Sequence, residues 1–249
     1  MSKPRVAIFD FACCEGCQLQ IVNLEEEILD LLTLVTPVAW REAMSDQTES
    51  YDIAIVEGSI TRLEDAQRLK QIRARAGVLV ALGACATIGG LNKLKNNFDL
   101  NEVRQCVYGE AASSPHLNTM PTQALDEIVK VDIKIHGCPI DNREFAAVVR
   151  CLAMGKMPVI PNYPVCVECK KAGNICRYEY NEVCLGPLTR AGCGARCPSK
   201  GACCFGCRGA VDDPNVQAAH DVMEQYHKTV DDLQGRLELF GIRPEDNHV

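Results

Sequence analysis

The chain has 249 residues, enough for one large domain and a small one. A hydrophobic share of 47% supports a true core, and a net charge of -7 argues against a nucleic-acid role, which needs a basic surface. The outlier is cysteine: 16 residues, nine of them between Cys166 and Cys207.

Cysteine at this density means disulfides or metal, and the compartment decides between them. Met1-Ser2-Lys3-Pro4 runs directly into Val6-Ala7-Ile8-Phe9, which leaves no room for a charged segment followed by an apolar one, and there is no twin-arginine pair. No uninterrupted apolar run reaches about 18 residues, so no transmembrane helix is expected. The expectation is a cytoplasmic protein whose thiols serve as metal ligands.

In chain order, Arg5–Phe9 reads as a buried strand, and after a cysteine-rich loop Leu19, Val22, Ile28 and Leu31 recur at helical spacing. A weaker strand is expected over Val35–Trp40 and a clear one over Asp52–Val56. Leu63–Arg75 reads as a helix ended by Gly77, Val78–Leu82 and Val131–Ile135 as strands, and Asn142–Met154 as a helix. Strands with continuous apolar cores alternating with helices predict an α/β domain over residues 1–158, its parallel sheet covered on both faces. Pro158, Pro161 and Pro164 mark a linker. The second domain, 159–249, has little apolar periodicity before residue 213. Metal bonds must therefore supply its stability. One polar helix is expected from Asp213 to Leu239, with a short tail after Pro244.

Three cysteine loops share a position. Cys13-Cys14-Glu15-Gly16-Cys17, Gly83-Ala84-Cys85-Ala86 and His136-Gly137-Cys138-Pro139 each follow a predicted strand directly. The carboxyl ends of parallel strands lie on one sheet edge, so these loops should converge there. Cys14, Cys17, Cys85 and Cys138 then offer four thiolates, a set that suits a cubane iron–sulfur cluster or tetrahedral zinc. A lone cysteine is most often a small buried hydrophobe, but three glycine-flanked loops together favour a metal site. Glu57, at the end of another strand on this edge, reads either as a solvated loop carboxylate or as an acid near the cluster that helps proton traffic.

Cys14-Glu15-Gly16-Cys17, Val56-Glu57-Gly58, Gly83-Ala84-Cys85-Ala86-Thr87-Ile88-Gly89-Gly90 and Gly137-Cys138-Pro139 resemble the small subunit of nickel–iron hydrogenases, a family that also includes the 20-kDa-type subunit of respiratory complex I. The resemblance implies a flavodoxin-like domain whose Cys14, Cys17, Cys85 and Cys138 hold a proximal 4Fe–4S cluster beside a nickel-bearing large subunit. Cys166-x2-Cys169, the segment Cys184 to Cys193 and Cys204-Phe205-Gly206-Cys207 resemble the cytoplasmic branch. Phe11 to Gln20 looks most like the delta subunit of sulfhydrogenases, which exchange electrons with NAD(P) through a separate flavin subunit. Membrane-bound uptake hydrogenases fit less well, because their export signal and histidine cluster ligand have no counterpart here, and complex I subunits fit less well because they lack this cysteine-rich tail.

Eight tail thiolates, Cys166, Cys169, Cys176, Cys184, Cys193, Cys197, Cys204 and Cys207, would hold two further cubanes in ferredoxin style. Cys197-Pro198 resembles the cysteine–proline ending of ferredoxin motifs. Spacing does not divide the eight between two clusters, and a pair of zinc ribbons in a scaffold protein is the competing reading. The three-cluster reading is an electron relay with no catalytic residue of its own, since the large-subunit nickel signatures are absent from the sequence. The acceptor could be an NAD(P)-linked flavin subunit, a deazaflavin or a heterodisulfide reductase.

Overall fold

A computed structural model describes residues 3–241, in two compact units, Met1–Pro158 and Val159–Val249. In the first unit, strands β1 (Arg5–Asp10), β2 (Thr36–Trp40), β3 (Ile53–Glu57), β4 (Val78–Leu82) and β5 (Ile133–Ile135) form one sheet. Its order is β2-β1-β3-β4-β5, and every pair is parallel. The apolar runs dictate this: all five residues of β3 and the last four of β4 are buried, as strands covered on both faces require. The chain moves outward from β1 in both directions, which makes β1/β3 the switch point of an open α/β sheet.

Helices α1 (Gly16–Val22), α2 (Glu26–Leu34), α3 (Leu63–Arg75), α4 (Gly83–Ile88), α5 (Leu100–Tyr108) and α6 (Asn142–Ala153) complete the unit. On one face Ala7, Ala54, Val56, Leu79 and Ala81 pack with Leu69 and Ile72 of α3. In α6, Phe145, Ala146, Val148, Val149 and Leu152 are buried. Full burial of each larger side chain of this kind contributes about 1.5–3 kcal/mol. Asp141 caps α6, its side chain accepting from the amides of Arg143 (3.0 Å) and Glu144 (3.2 Å).

The second unit holds α7 (Val165–Lys171), α8 (Arg196–Ser199), α9 (Val216–Gln225) and α10 (Val230–Leu239) among turns. Its core joins Val165, Tyr178, Leu185, Ala195 and several cysteines to Met223, Leu233 and Leu237. Part of the apolar cover for the cysteine-rich segment thus comes from the last two helices. Buried Arg190 staples the unit: its guanidinium donates to the carbonyls of Pro161 and Ala210 (both 3.2 Å), to Asn162 Oδ1 (2.7 Å) and to Asp212.

Two expected helices are each broken in two. The helical spacing through Leu19–Leu31 is carried by α1 and α2, with Glu25 between them at a φ of 52°. The single helix expected over Asp213–Leu239 is α9 and α10. His227 sits between them at a φ of 54°, and Thr229 opens α10 with a reciprocal cap against Asp232. The expected tail after Pro244 lies outside the described residues. Among the described residues, no helix is long and apolar enough to cross a membrane.

Candidate metal centres

Parallel registry aligns the carboxyl ends of four strands in one row: Asp10 pairs with Glu57, Glu57 with Leu82 and Leu82 with Ile135. The loops carrying Cys14 and Cys17, Cys85, and Cys138 leave from this row. Their backbones are tied to one another. Ala12 exchanges amide–carbonyl bonds with Ser59 (3.1 and 3.0 Å), and Asn92 Nδ2 donates to Ala12 O (2.8 Å) and Ser59 Oγ (2.9 Å). Ala84 N donates to Gly137 O at 2.7 Å, joining the loop of Cys85 to that of Cys138.

The glycines in these loops make room for sulfur. A Cβ on Gly83 (φ +81°) would stand 2.3 Å from Cys17 Sγ, one on Gly90 (φ +57°) 3.0 Å from Cys85 Sγ, and one on Gly16 3.3 Å from Cys14 Sγ. Positive φ and this proximity together require glycine at Gly83 and Gly90.

The thiols sense each other. Burial pushes Cys85 up to about 12, and the charges of Cys138, Cys14 and Glu57 add to it. Cys138 is raised by burial, then by Cys14 and Glu57, and Cys17 by burial, then by Glu57. Cys17, Cys85 and Cys138 thus resist ionisation until a cationic centre compensates them, and metal-centre binding must then release protons. The donor set therefore fits an iron–sulfur centre. Among the described residues, no three His, Cys, Asp or Glu side chains close on a single ion position, so the fit rests on donor chemistry and on the space kept around the sulfurs.

Glu57 is not a solvated loop carboxylate. It is 2% exposed, and its two oxygens accept from the amides of Cys17 (3.2 Å) and Gln18 (3.3 Å). Burial raises its pKa, while these N–H groups pull it back down. Gln18 Oε1 in turn accepts from Trp40 Nε1 at 2.8 Å, anchoring α1 to β2. On the solvent side, Arg41 of the turn after β2 pairs with Asp10 and Glu15 (both 2.9 Å). Spacing could not reveal these second contacts; an apolar strand ending in an acid was the available signal for Glu57. Cys13 is raised to about 12 by burial and then by Glu57, with smaller additions from Asp10 and Cys85.

In the second unit, Cys166 is raised to about 12 by burial and then by Cys184, Cys169 and Cys176. A Cβ on Gly186 would meet Cys166 Sγ at 3.1 Å and Cys184 Sγ at 3.5 Å. Asn174 Nδ2 points at Cys169 Sγ (3.7 Å), and Tyr178 Oη donates to Cys184 O (2.9 Å). These contacts gather Cys166, Cys169, Cys176 and Cys184 into one group. Cys197 is raised by burial and then by Cys193, and among the causes that raise Cys204, after burial, are Cys184 and Cys207. Cys203 is engaged elsewhere, its Sγ 2.9 Å from Glu182 Oε2. Cys106 and Cys151 belong to neither unit's cysteine groups; they lie on α5 and α6.

Residues 14–152 match the family of the NADH ubiquinone oxidoreductase 20 Kd subunit. The chain is 35% identical to the sulfhydrogenase 2 subunit delta of Pyrococcus furiosus, over 89% of this chain and 92% of that one. It is 29% identical to a vhu subunit of the F420-non-reducing hydrogenase of Methanocaldococcus jannaschii, over 84% and 82%. Among solved structures, a chain of an NAD+-reducing [NiFe]-hydrogenase in the H2-reduced state superposes with a TM-score of 0.58 at 28% identity, covering 64% of this chain and 96% of that one. The sequence matches, the parallel sheet and the cysteine-bearing edge agree: this chain belongs to the family of the NADH ubiquinone oxidoreductase 20 Kd subunit and, within it, to the small subunits of nickel–iron hydrogenases.

Proposed function

We propose that the chain relays electrons through three 4Fe–4S clusters between a partner's nickel site and an NAD(P)-linked flavin subunit, in the cytoplasm. The observation that carries this is that the loops bearing Cys14 and Cys17, Cys85, and Cys138 all leave the carboxyl edge of the parallel sheet, with Gly83 and Gly90 keeping space beside the sulfurs of Cys17 and Cys85. Cys166, Cys169, Cys176 and Cys184 would hold a second cluster, supported by the influence of the other three on Cys166 and by Gly186, which keeps space beside the sulfurs of Cys166 and Cys184. That leaves Cys193, Cys197, Cys204 and Cys207 for the third.

When bound, such clusters accept and pass electrons at potentials set by charge, hydrogen bonds to sulfur and exposure. The chain's own residues do the positioning. Glu57 takes the amides of Cys17 and Gln18 and so fixes the first C-x-x-C turn. Asn174 Nδ2 and the amide of Cys204, which is 3.2 Å from Cys184 Sγ, present N–H groups to sulfur. Hydrogen chemistry belongs to the large subunit.

The flavin partner is supported by the likeness to an NAD+-reducing hydrogenase. The relative named as F420-non-reducing counts against the deazaflavin acceptor and leaves a heterodisulfide reductase as the second reading. Anaerobic purification of the native complex tests both: about twelve irons per chain are expected from three cubanes. A flavin subunit that reduces NAD(P) should co-purify. Stoichiometric zinc, or a colourless protein unchanged by dithionite, would refute the relay.

A further inference from the structure

Glu168 lies inside the Cys166-x-x-Cys169 turn on α7, yet its carboxylate does not serve that turn. Oε1 accepts from Gly192 N at 2.9 Å and Oε2 from Ala195 N at 3.2 Å. These two amides bracket Cys193. The loop they belong to is unusual: Gly192, Gly194 and Ala195 all take positive φ, at 114°, 63° and 50°. Ala195 is fully buried and has no glycine's freedom, so something outside the loop must hold it there. Glu168 is placed to do so, with both oxygens committed.

A second contact runs between the same two elements. Asn174 Nδ2 points at Cys169 Sγ (3.7 Å) and also donates to Ser199 Oγ (2.9 Å), at the end of α8, the helix that carries Cys197. A third joins the groups through the backbone, where Cys204 N donates to Cys184 Sγ at 3.2 Å. Three hydrogen-bonded links therefore run from one cysteine group to the segments that carry the other.

We infer that Glu168 and Asn174 are positioning residues acting across the two tail sites: the turn that supplies ligands to one cluster also sets the loop geometry of the other. This rests on the relay reading of the eight tail cysteines. It assigns to Glu168 a site other than the one whose ligands flank it. A carboxylate that merely stabilised α7 would act on Cys166 and Cys169 instead.

The test uses the intact hydrogenase complex, purified anaerobically, with metal content measured first on the unmodified protein. Zinc in place of iron there would refute the relay reading and this inference with it. With iron present, Glu168→Ala should lose about four of roughly twelve irons. The missing reduced-state EPR signal should be the one lost in Cys193→Ala, not the one lost in Cys169→Ala. Glu168→Gln keeps one acceptor oxygen; it should retain the irons but shift the midpoint potential of the Cys193 cluster alone. Asn174→Asp gives up the N–H aimed at Cys169 Sγ and should move the Cys169 cluster to a more negative potential, since that bond favours the reduced cluster. Full iron and unmodified spectra in Glu168→Ala, or loss of the Cys169 signal first, would overturn the inference. If Glu168→Ala yields no protein, an unshifted Cys193 cluster in Glu168→Gln overturns it equally.

Discussion

Glu57 reaches from the end of β3 into the loop after β1 and binds the amide of Cys17, 3.2 Å from its Oε1. One residue further on, Gln18 N meets Oε2 at 3.3 Å, so a single buried carboxylate aims the start of α1 and the turn between Cys14 and Cys17. Glutamine is nearly isosteric but has one acceptor, and its amide nitrogen would face an N–H. Glu57→Gln should therefore cost about 1–3 kcal/mol, the penalty of leaving a buried donor unmet. Lower thermal midpoints and reduced iron content in the anaerobic protein are the expected result; unchanged iron and midpoint would show that Glu57 is dispensable to the turn.

Glycine substitutions separate space from backbone freedom. Gly83→Ala would put a Cβ 2.3 Å from Cys17 Sγ at a φ that alanine disfavours, so it should abolish the cluster assigned to Cys14, Cys17, Cys85 and Cys138. Gly235 lies within α10 with nothing within 4 Å of its added Cβ and no positive φ. Gly235→Ala should raise stability by about 0.5–1 kcal/mol, because alanine loses less backbone entropy on folding. Iron analysis and thermal unfolding of the two variants together check this.

The parallel sheet was legible because its strands are short apolar runs bounded by turns, and β4 spans the five residues its pattern indicates. Loops after strands could be placed on one edge from topology alone. The breaks at Glu25 and His227 were not legible, since both residues take positive φ without the glycine that usually announces it. The role of Glu57 was hidden for a different reason: its partners lie 39 and 40 residues away in sequence and are backbone amides, which leave no side-chain signature. In the tail, Met223, Leu233 and Leu237 cover cysteines from helices whose own sequence is mostly polar.

Asp132 makes stability depend on acidity. Its Oδ2 accepts from Leu79 N (2.9 Å) and Arg73 Nη1 (2.6 Å), fixing the approach to β5 against β4 and α3. Burial alone would raise its pKa, but the Leu79 amide and the Arg73 bond and charge outweigh this and hold it below the usual carboxylate range. A carboxyl depressed in the fold contributes stability above its unfolded pKa and loses it as pH falls through the folded value. Asp132→Asn should cost about 1 kcal/mol at neutral pH, and the difference from the unmodified chain should shrink below about pH 4. Denaturant midpoints of both proteins across that range, read as a difference, decide it.

Two adjacent cysteine pairs offer the sharpest test of the ligand assignment. Neighbouring residues in extended chain point in roughly opposite directions, so both members of Cys13-Cys14 or Cys203-Cys204 rarely reach one cluster. Cys14 and Cys204 make C-x-x-C spacings with Cys17 and Cys207, whereas Cys13 and Cys203 do not. Cys203 has another occupation: its Sγ lies against Glu182, whose carboxyl is held at about 2 by Arg177 first and Cys203 second. Cys13 is the harder case, because it feels Cys85 and Glu57. Cys14→Ala should lose the EPR signal of the first cluster and about four irons, while Cys13→Ala keeps both. Cys204→Ala should strip one tail cluster, and Cys203→Ala should keep every iron while lowering the thermal midpoint, since it removes a part-buried contact to Glu182. Cluster loss in Cys13→Ala with Cys14→Ala intact would move the first ligand position by one residue, and the same reversal at Cys203 would reassign the third cluster.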